Sequence, residues 1–316
     1  MQIGLYTDSL HDLSFTDALD WCVDNGVEAV EIGTGGFSPK PHCDLQLLLD
    51  SENARSEFLG AIESRGLNLS ALNCNGNPLD PHPARRKNHE EDFFKTIEAA
   101  NKLGIDVVVA MSGCPGDKDG GTTPNWVVHP HQEEFFELLE WQWDEVVTPF
   151  WERAGHFANE HGVKVAIEMH PGCVVYNTRT MLRLREVAGK NIGANFDPSH
   201  LFYQGMEPLV VIAALGKDFV FHVHAKDTRL DPQKMEYTGG LDPRPFVSNP
   251  GVRAWEYRTL GYGHGVRWWC DFVSILRLNG YDGSLSIEHE DEVMGAREGI
   301  IKSIEFLQPI VLRTTA

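Results

Sequence analysis

Two hydrophobic periods take turns along this chain. Short runs in which apolar and polar residues alternate, the period of a half-buried strand, are followed by longer stretches with apolar positions three and four apart, the period of an amphipathic helix. Eight strand-like runs are predicted: QIGLYT (2–7), AVEIG (29–33), NLSALN (68–73), DVVVAM (106–111), VKVAIEM (163–169), IGANFD (192–197), FVFHVHA (219–225) and GSLSIEH (283–289). A helix capped by Ser14 carries the stripe Phe15, Ala18, Leu19 and Cys22 and ends at Gly26. Others are predicted over 52–65, 84–103, 178–189, 207–215, 266–279 and 292–312. The segment 132–161 is too long for one straight helix, and Thr148-Pro149 reads as a cap with Pro at the first helical position, so it is split there.

Eight βα units predict an α/β fold, a single closed (β/α)8 barrel spanning 1–316 with no linker to divide it. Two connections exceed the usual handful of residues, 112–131 after strand four and 227–264 after strand seven. In a barrel both belong to the face on which active sites are built.

Four chemistry-bearing side chains stand at the ends of the last four strands: Glu168, Asp197, His224 and Glu288. Residues two apart on a strand share a face, so Glu168 is opposed by Ile167 and Met169, Asp197 by Phe196, His224 by Val223 and Ala225, and Glu288 by Ile287. All four fall on the less greasy face. Three carboxylates and one imidazole brought from one end of adjacent strands make a socket for one divalent cation, and the oxygen-rich set favours Mn2+, with Mg2+, Co2+ or Zn2+ as alternatives. Open positions on such an ion suit two adjacent oxygens of a sugar, and the reaction class is proton abstraction next to a carbonyl through an enediolate.

His170 shares the face of Glu168 and is a candidate general base or acid, or else supports the metal. His200 either contacts a substrate hydroxyl or orients the metal ligands. His222, one layer deeper than His224, reads as a core histidine. Lys226 either neutralises a substrate oxygen or pairs with Asp227. Glu31 and Asn73 reach the barrel mouth from strands two and three as candidate hydroxyl contacts, and His264, in the run GYGHG (261–265), is a further candidate. The glycines there lack the pattern of a phosphate loop. Trp126, Trp255, Tyr257 and Tyr262 are candidates to stack on a sugar ring or an aglycone.

Composition narrows the partners. With 27 Lys plus Arg against 46 Asp plus Glu the formal charge is -19, which repels nucleic acid and anionic membranes. The start MQIGLYTDSL has neither a basic region nor an apolar core of a leader, and no stretch reaches the length of a membrane span, so a cytoplasmic location is expected. Six cysteines without a CxxC pair read as reduced thiols.

Glu168, Asp197-Pro-Ser-His200, His224-Ala-Lys-Asp227 and Glu288, set on eight βα units, resemble the xylose isomerase-like TIM-barrel superfamily, and most of all its sugar phosphate isomerase/epimerase branch. The resemblance covers nearly the whole chain. It implies a metal held by Glu168, Asp197, His224 and Glu288, a substrate contact from His200, and a proton shuttle by Glu168 and Glu288. Ketose 3-epimerases of that branch tend to carry Glu-Pro-x-Asn after strand five, whereas this chain has Glu168-Met169-His170-Pro171. They also place Arg six residues after the metal His, where this chain has Leu230. A Glu-x-His here resembles the large subunit of bacterial C-glycoside deglycosidases. The first reading is therefore a metal-dependent sugar or keto-sugar isomerase/epimerase. The second is a lyase cleaving C- or O-glycosides of 3-keto sugars by elimination, and the non-enzymatic alternative is a sugar-binding barrel. All of them take a small-molecule sugar or glycoside and leave room for a homo-oligomer or a small partner subunit.

Overall fold

The computed structural model describes residues 1–129, 131–245 and 250–314. Small parts of the two long connections, at Pro130 and at 246–249, lie outside the described residues. Among the described residues ten strands follow one another: β1 (Gln2–Tyr6), β2 (Ala29–Gly33), β3 (Asn68–Cys74), β4 (Val107–Met111), β5 (Lys164–Glu168), β6 (Ile192–Phe196), β7 (Val220–Ala225), β8 (Asp227–Leu230), β9 (Trp255–Arg258) and β10 (Ser284–Ile287). Eight of them close a barrel in the order β1-β10-β7-β6-β5-β4-β3-β2. Neighbours run parallel, as parallel strands must when a helical crossover of a dozen or more residues separates them.

The other two strands, β8 and β9, form an antiparallel pair inside the connection after β7 and pair Asp227 with Arg258 through to Leu230 with Trp255. The sequence reading treats this stretch as loop, because DTRL and WEYR are too short and too charged to show a period of two. Between them a further helix, Pro232–Thr238, is capped by the Asp231 side chain, which accepts from the Lys234 N–H.

Most helices match the sequence pattern. Ser14 Oγ accepts from the Asp17 N–H to start Phe15–Asp24, and Asn177 and Thr180 form a reciprocal cap for Thr178–Ala188. The split expected at Thr148 is not a break. Glu133–Trp141 passes through a π-helical turn, Gln142–Val147, straight into Thr148–Glu160, and Val147 has helical dihedrals. A widened turn re-aims the chain without ending it, and Pro149 lies in the first turn of the next segment, where its missing N–H is lightly felt.

Two compact units can be traced along the chain. The first, of Met1–Glu31, Ala61–Ser70 and Phe196–Ala316, holds a core of Ile3, Leu5, Val223, Leu285, Trp269, Phe272 and Ile304, all buried. In its ladder, β1 pairs with β10 from Gln2 opposite Ser284 to Leu5 opposite Ile287. The second, of Ile32–Gly60 and Ala71–Asn195, buries Val108, Val109, Ile167 and the edge-on aromatics Phe93, Phe150 and Trp151. Its ladder aligns Met111 with Glu168 and Glu168 with Asn195.

Cys22, Cys74, Cys114, Cys173 and Cys270 are free thiols. Burial pushes Cys22, Cys74, Cys114 and Cys173 up to about 12, so none of these four is a thiolate nucleophile at neutral pH. Among the described residues no helix is long and apolar enough to cross a membrane.

Candidate active site

Strand ends supply the chemistry because a parallel barrel delivers the C-terminal residue of every strand to the same mouth. His224 is the penultimate residue of β7 and fully buried. Its Nε2 lies 3.0 and 3.2 Å from the two oxygens of Glu31. A carboxylate only accepts, so Nε2 carries a proton, and in the neutral ring the lone pair is then on Nδ1. That Nδ1 sits 3.2 Å from Glu288 Oε2. Two lone-pair atoms at this distance call for positive charge between or beside them, from a proton or a cation.

Glu31 is also fully buried. It accepts from Ser286 Oγ at 2.6 Å and lies 3.6 Å from His222 Nε2. Burial alone raises its carboxyl, but His224, His222 and the Ser286 hydroxyl outweigh that and hold it down at about 2. The expected hydroxyl contact from Glu31 is thus replaced by a different task, since its oxygens are turned to the imidazoles. It fixes the tautomer of His224.

Asp197, one residue beyond β6, uses Oδ1 to accept from the Ser199 N–H at 2.8 Å. Its Oδ2 lies 3.0 Å from Lys226 Nζ and 3.2 Å from His200 Nε2. Lys226, only 3% exposed, also reaches Glu288 Oε2 at 2.6 Å and Glu290 Oε2 at 2.9 Å. The sequence left open whether Lys226 pairs with Asp227, and these contacts are made instead with Asp197, Glu288 and Glu290. An ammonium drawn in among three carboxylates shows directly that the cluster attracts positive charge. Glu168 closes β5, and Asn195 Nδ2 donates to its Oε2 at 2.9 Å across the ladder.

Within the first unit, one donor atom from each of Asp197, His224 and Glu288 lies within 4.8 Å of the other two. Their carboxylate oxygens and single imidazole nitrogen suit a hard or borderline dication, and Glu31 behind His224 supplies the orienting carboxylate that metal-binding imidazoles commonly have.

The remaining candidates fall in several places. His170 lies in the turn beyond β5, half-buried, with Nδ1 donating to the Pro171 carbonyl at 2.6 Å. Asn73 is fully buried and its Oδ1 accepts from the Asn75 N–H at 2.9 Å. His264 Nδ1 is 2.8 Å from Asp227 Oδ1 and its ring stacks on Phe202 at 3.8 Å, which makes it part of the bracing of its own loop. Trp255 cannot stack on a sugar as expected, because Tyr203 covers one side at 3.7 Å and the Arg253 guanidinium lies 3.9 Å from the ring. Trp126 meets Tyr176 edge-on. Among residues the sequence reading did not weigh, Glu290 was within reach, being two positions after Glu288 on the same parity. Ser286 and Asn195 carried no signal beyond that parity.

The GYGHG run binds an anion, but one of its own. The N–H groups of Gly261, Gly263 and His264 converge on Asp227 Oδ2 at 3.1, 3.0 and 2.8 Å, and Thr228 N–H reaches Oδ1 at 2.8 Å. A Cβ on Gly263 would collide with the Thr228 carbonyl and Asp227 Oδ1. Gly263→Ala is therefore expected to lower stability by about 1–3 kcal/mol, read by urea denaturation, with an exposed-helix control such as Gly60→Ala showing no comparable loss. Equal behaviour of the two variants would show that this ring of N–H donors around Asp227 does not stabilise the fold.

Residues 19–310 match the model of the xylose isomerase-like TIM barrel family, and the chain belongs to that family. It is 38% identical to the Bacillus subtilis (strain 168) protein YfiH, itself described as uncharacterized, over 98% of this chain and 99% of that one. It is 26% identical to an inosose dehydratase of Clostridium perfringens over 69% of this chain and 70% of the relative. Among solved structures, 3-keto-D-glucoside 4-epimerase from E. coli superposes with a TM-score of 0.66 at 16% identity, over 98% and 99% of the two chains.

Proposed function

We propose that this protein is a divalent-metal-dependent isomerase or epimerase that removes the proton next to a carbonyl of a keto-sugar or a related cyclic ketone and returns it at another face or carbon. The observation that carries this reading is the meeting of Asp197, His224 and Glu288 in a cluster that already draws in the Lys226 ammonium, with Glu168 the fourth donor of this reading. Bound there, a dication, Mn2+ first on this oxygen-rich set, would offset the negative charge that develops on adjacent substrate oxygens.

The chain's own groups do the rest. Glu168 and Glu288 stand as the pair that takes and returns the carbon-bound proton. Asn195 restrains Glu168 through one oxygen, which limits its rotation while the proton moves. His170, with Nδ1–H spent on the Pro171 carbonyl, offers Nε2 to a substrate hydroxyl or as the base itself. Lys226, released toward Glu290, has a donor for a developing oxyanion.

Elimination is the second reading, and the identity to inosose dehydratase is what favours it. It begins with the same proton abstraction and then expels a hydroxyl or an aglycone from the neighbouring carbon.

The deciding experiment is a screen of free, phosphorylated and 3-keto sugars, and of inosose, in deuterated water with added manganese. Deuterium entering a carbon without bond cleavage is the result expected of the isomerase or epimerase. Release of water or aglycone would establish the lyase instead. A sugar that binds and undergoes neither would overturn both and leave a binding barrel.

A further inference from the structure

Strand β3 runs out into NCNGN (73–77), three asparagines that the proposed reaction does not use. Each has a different occupation. Asn77 is built into the loop after β4: its Oδ1 accepts from the Cys114 and Leu79 N–H groups at 2.8 and 3.1 Å, and its Nδ2 donates to the Cys114 carbonyl at 3.0 Å. Asn73 turns its Oδ1 to the Asn75 N–H at 2.9 Å.

Asn75 is held by its backbone. Its N–H goes to Asn73, and its carbonyl accepts from the Phe37 N–H at 2.6 Å, so the residue is pinned on both sides of its Cα. A Cβ on Gly36 would come within 2.2 Å of that same carbonyl, so the loop after β2 lies against Asn75 only because Gly36 has no side chain.

The Asn75 side chain is different. The residue is 9% exposed and its Oδ1 is buried, yet that oxygen has no hydrogen-bond partner among the described residues. Buried amides are nearly always paired, because an unpaired one keeps the full penalty of leaving water. Such a penalty, retained two residues from an asparagine whose amide is bonded at both ends, calls for a reason outside the fold.

Position supplies one. Residues two apart on a strand share a face, so Asn75 continues the side of Asn73 and stands one residue past Cys74, the C-terminal end of β3. In a parallel barrel that end opens on the mouth where ligands bind.

We infer that Asn75 is a specificity-determining residue whose carboxamide takes a hydroxyl of the substrate. This rests on the proposed function, which supplies the sugar. A carboxamide carries one acceptor and two donors side by side, which matches two neighbouring oxygens of a sugar, and a half-turn about its last bond lets either end face the ligand. It brings no positive charge, so the part of the ligand it recognises is the polyol and not a phosphate. The pinned backbone holds the amide in place before the ligand arrives.

The test compares Asn75→Leu with Asn73→Leu, the same change made two residues apart. No protein group bonds the Asn75 oxygen, so Asn75→Leu is expected to keep or raise the urea midpoint, whereas Asn73→Leu strips the Asn75 N–H of its acceptor and is expected to lower it. An equal fall in both variants would make the Asn75 amide a structural group and overturn the inference.

On a substrate from the screen above, Asn75→Leu is expected to raise KM about tenfold while kcat stays within about threefold. Among monodeoxy analogues of that substrate, wild type is expected to disfavour one about tenfold, and the variant to treat that one like the parent. Asn75→Ala supplies the same comparison should leucine not fit. Unchanged KM with unchanged preference overturns the inference alone. A wild type that binds no sugar in calorimetric titration overturns the proposed function, and this inference with it.

Discussion

Glu31→Ala is expected to cost about 3–5 kcal/mol of stability and to weaken manganese binding about 10- to 100-fold. Glu31 is a fully buried anion, held at about 2 by two imidazoles and a hydroxyl. Its removal leaves His222, His224 and Ser286 facing a cavity with their shared acceptor gone, and buried polar groups stripped of a partner lose the full desolvation penalty. It also frees the His224 ring to adopt the other tautomer, turning a protonated nitrogen toward Glu288. Glu31→Gln keeps the shape and one acceptor oxygen, and should fall between wild type and the alanine variant. Urea denaturation and calorimetric titration with manganese measure the two effects. Lost stability with unchanged metal affinity would make Glu31 a structural residue alone.

His170→Ala is expected to bind metal and fold as wild type does, yet to lose about 10²- to 10⁴-fold in turnover. His170 is half-buried, so truncating it opens little cavity, and one of its ring contacts is to its own neighbour, the Pro171 carbonyl. What disappears is an imidazole able to exchange protons in the turn that follows Glu168. Rate and metal content are measured on the same preparation. A parallel loss of metal would show that His170 supports the cation rather than moving protons.

The barrel was largely legible in the linear pattern because both periods are local. VVVAM reads as a strand, and the Phe15, Ala18, Leu19, Cys22 stripe as a helix, whatever surrounds them. The parity of Glu168, Asp197, His224 and Glu288 could be read for the same reason. The hairpin of β8 and β9 escaped notice, since four-residue strands without alternation are defined by their partner across the ladder. So did the π turn at Gln142–Val147, where a proline that reads locally as a start is absorbed in mid-helix.

By itself, then, the order of residues settled what depends on near neighbours: strand, helix, cap, and which side chains share a face of one strand. Partnership over distance was decided only in three dimensions. Glu31 and His224 are 193 positions apart, and Asp227 meets the GYGHG backbone 34 to 37 positions on. Whether a buried carboxylate meets a sugar or an imidazole, and whether a glycine-rich loop cradles a phosphate or an aspartate, depends on which charge the closed fold brings within 3 Å. Coulomb and hydrogen-bond energies fall off over that distance, and spacing along the chain carries no record of it.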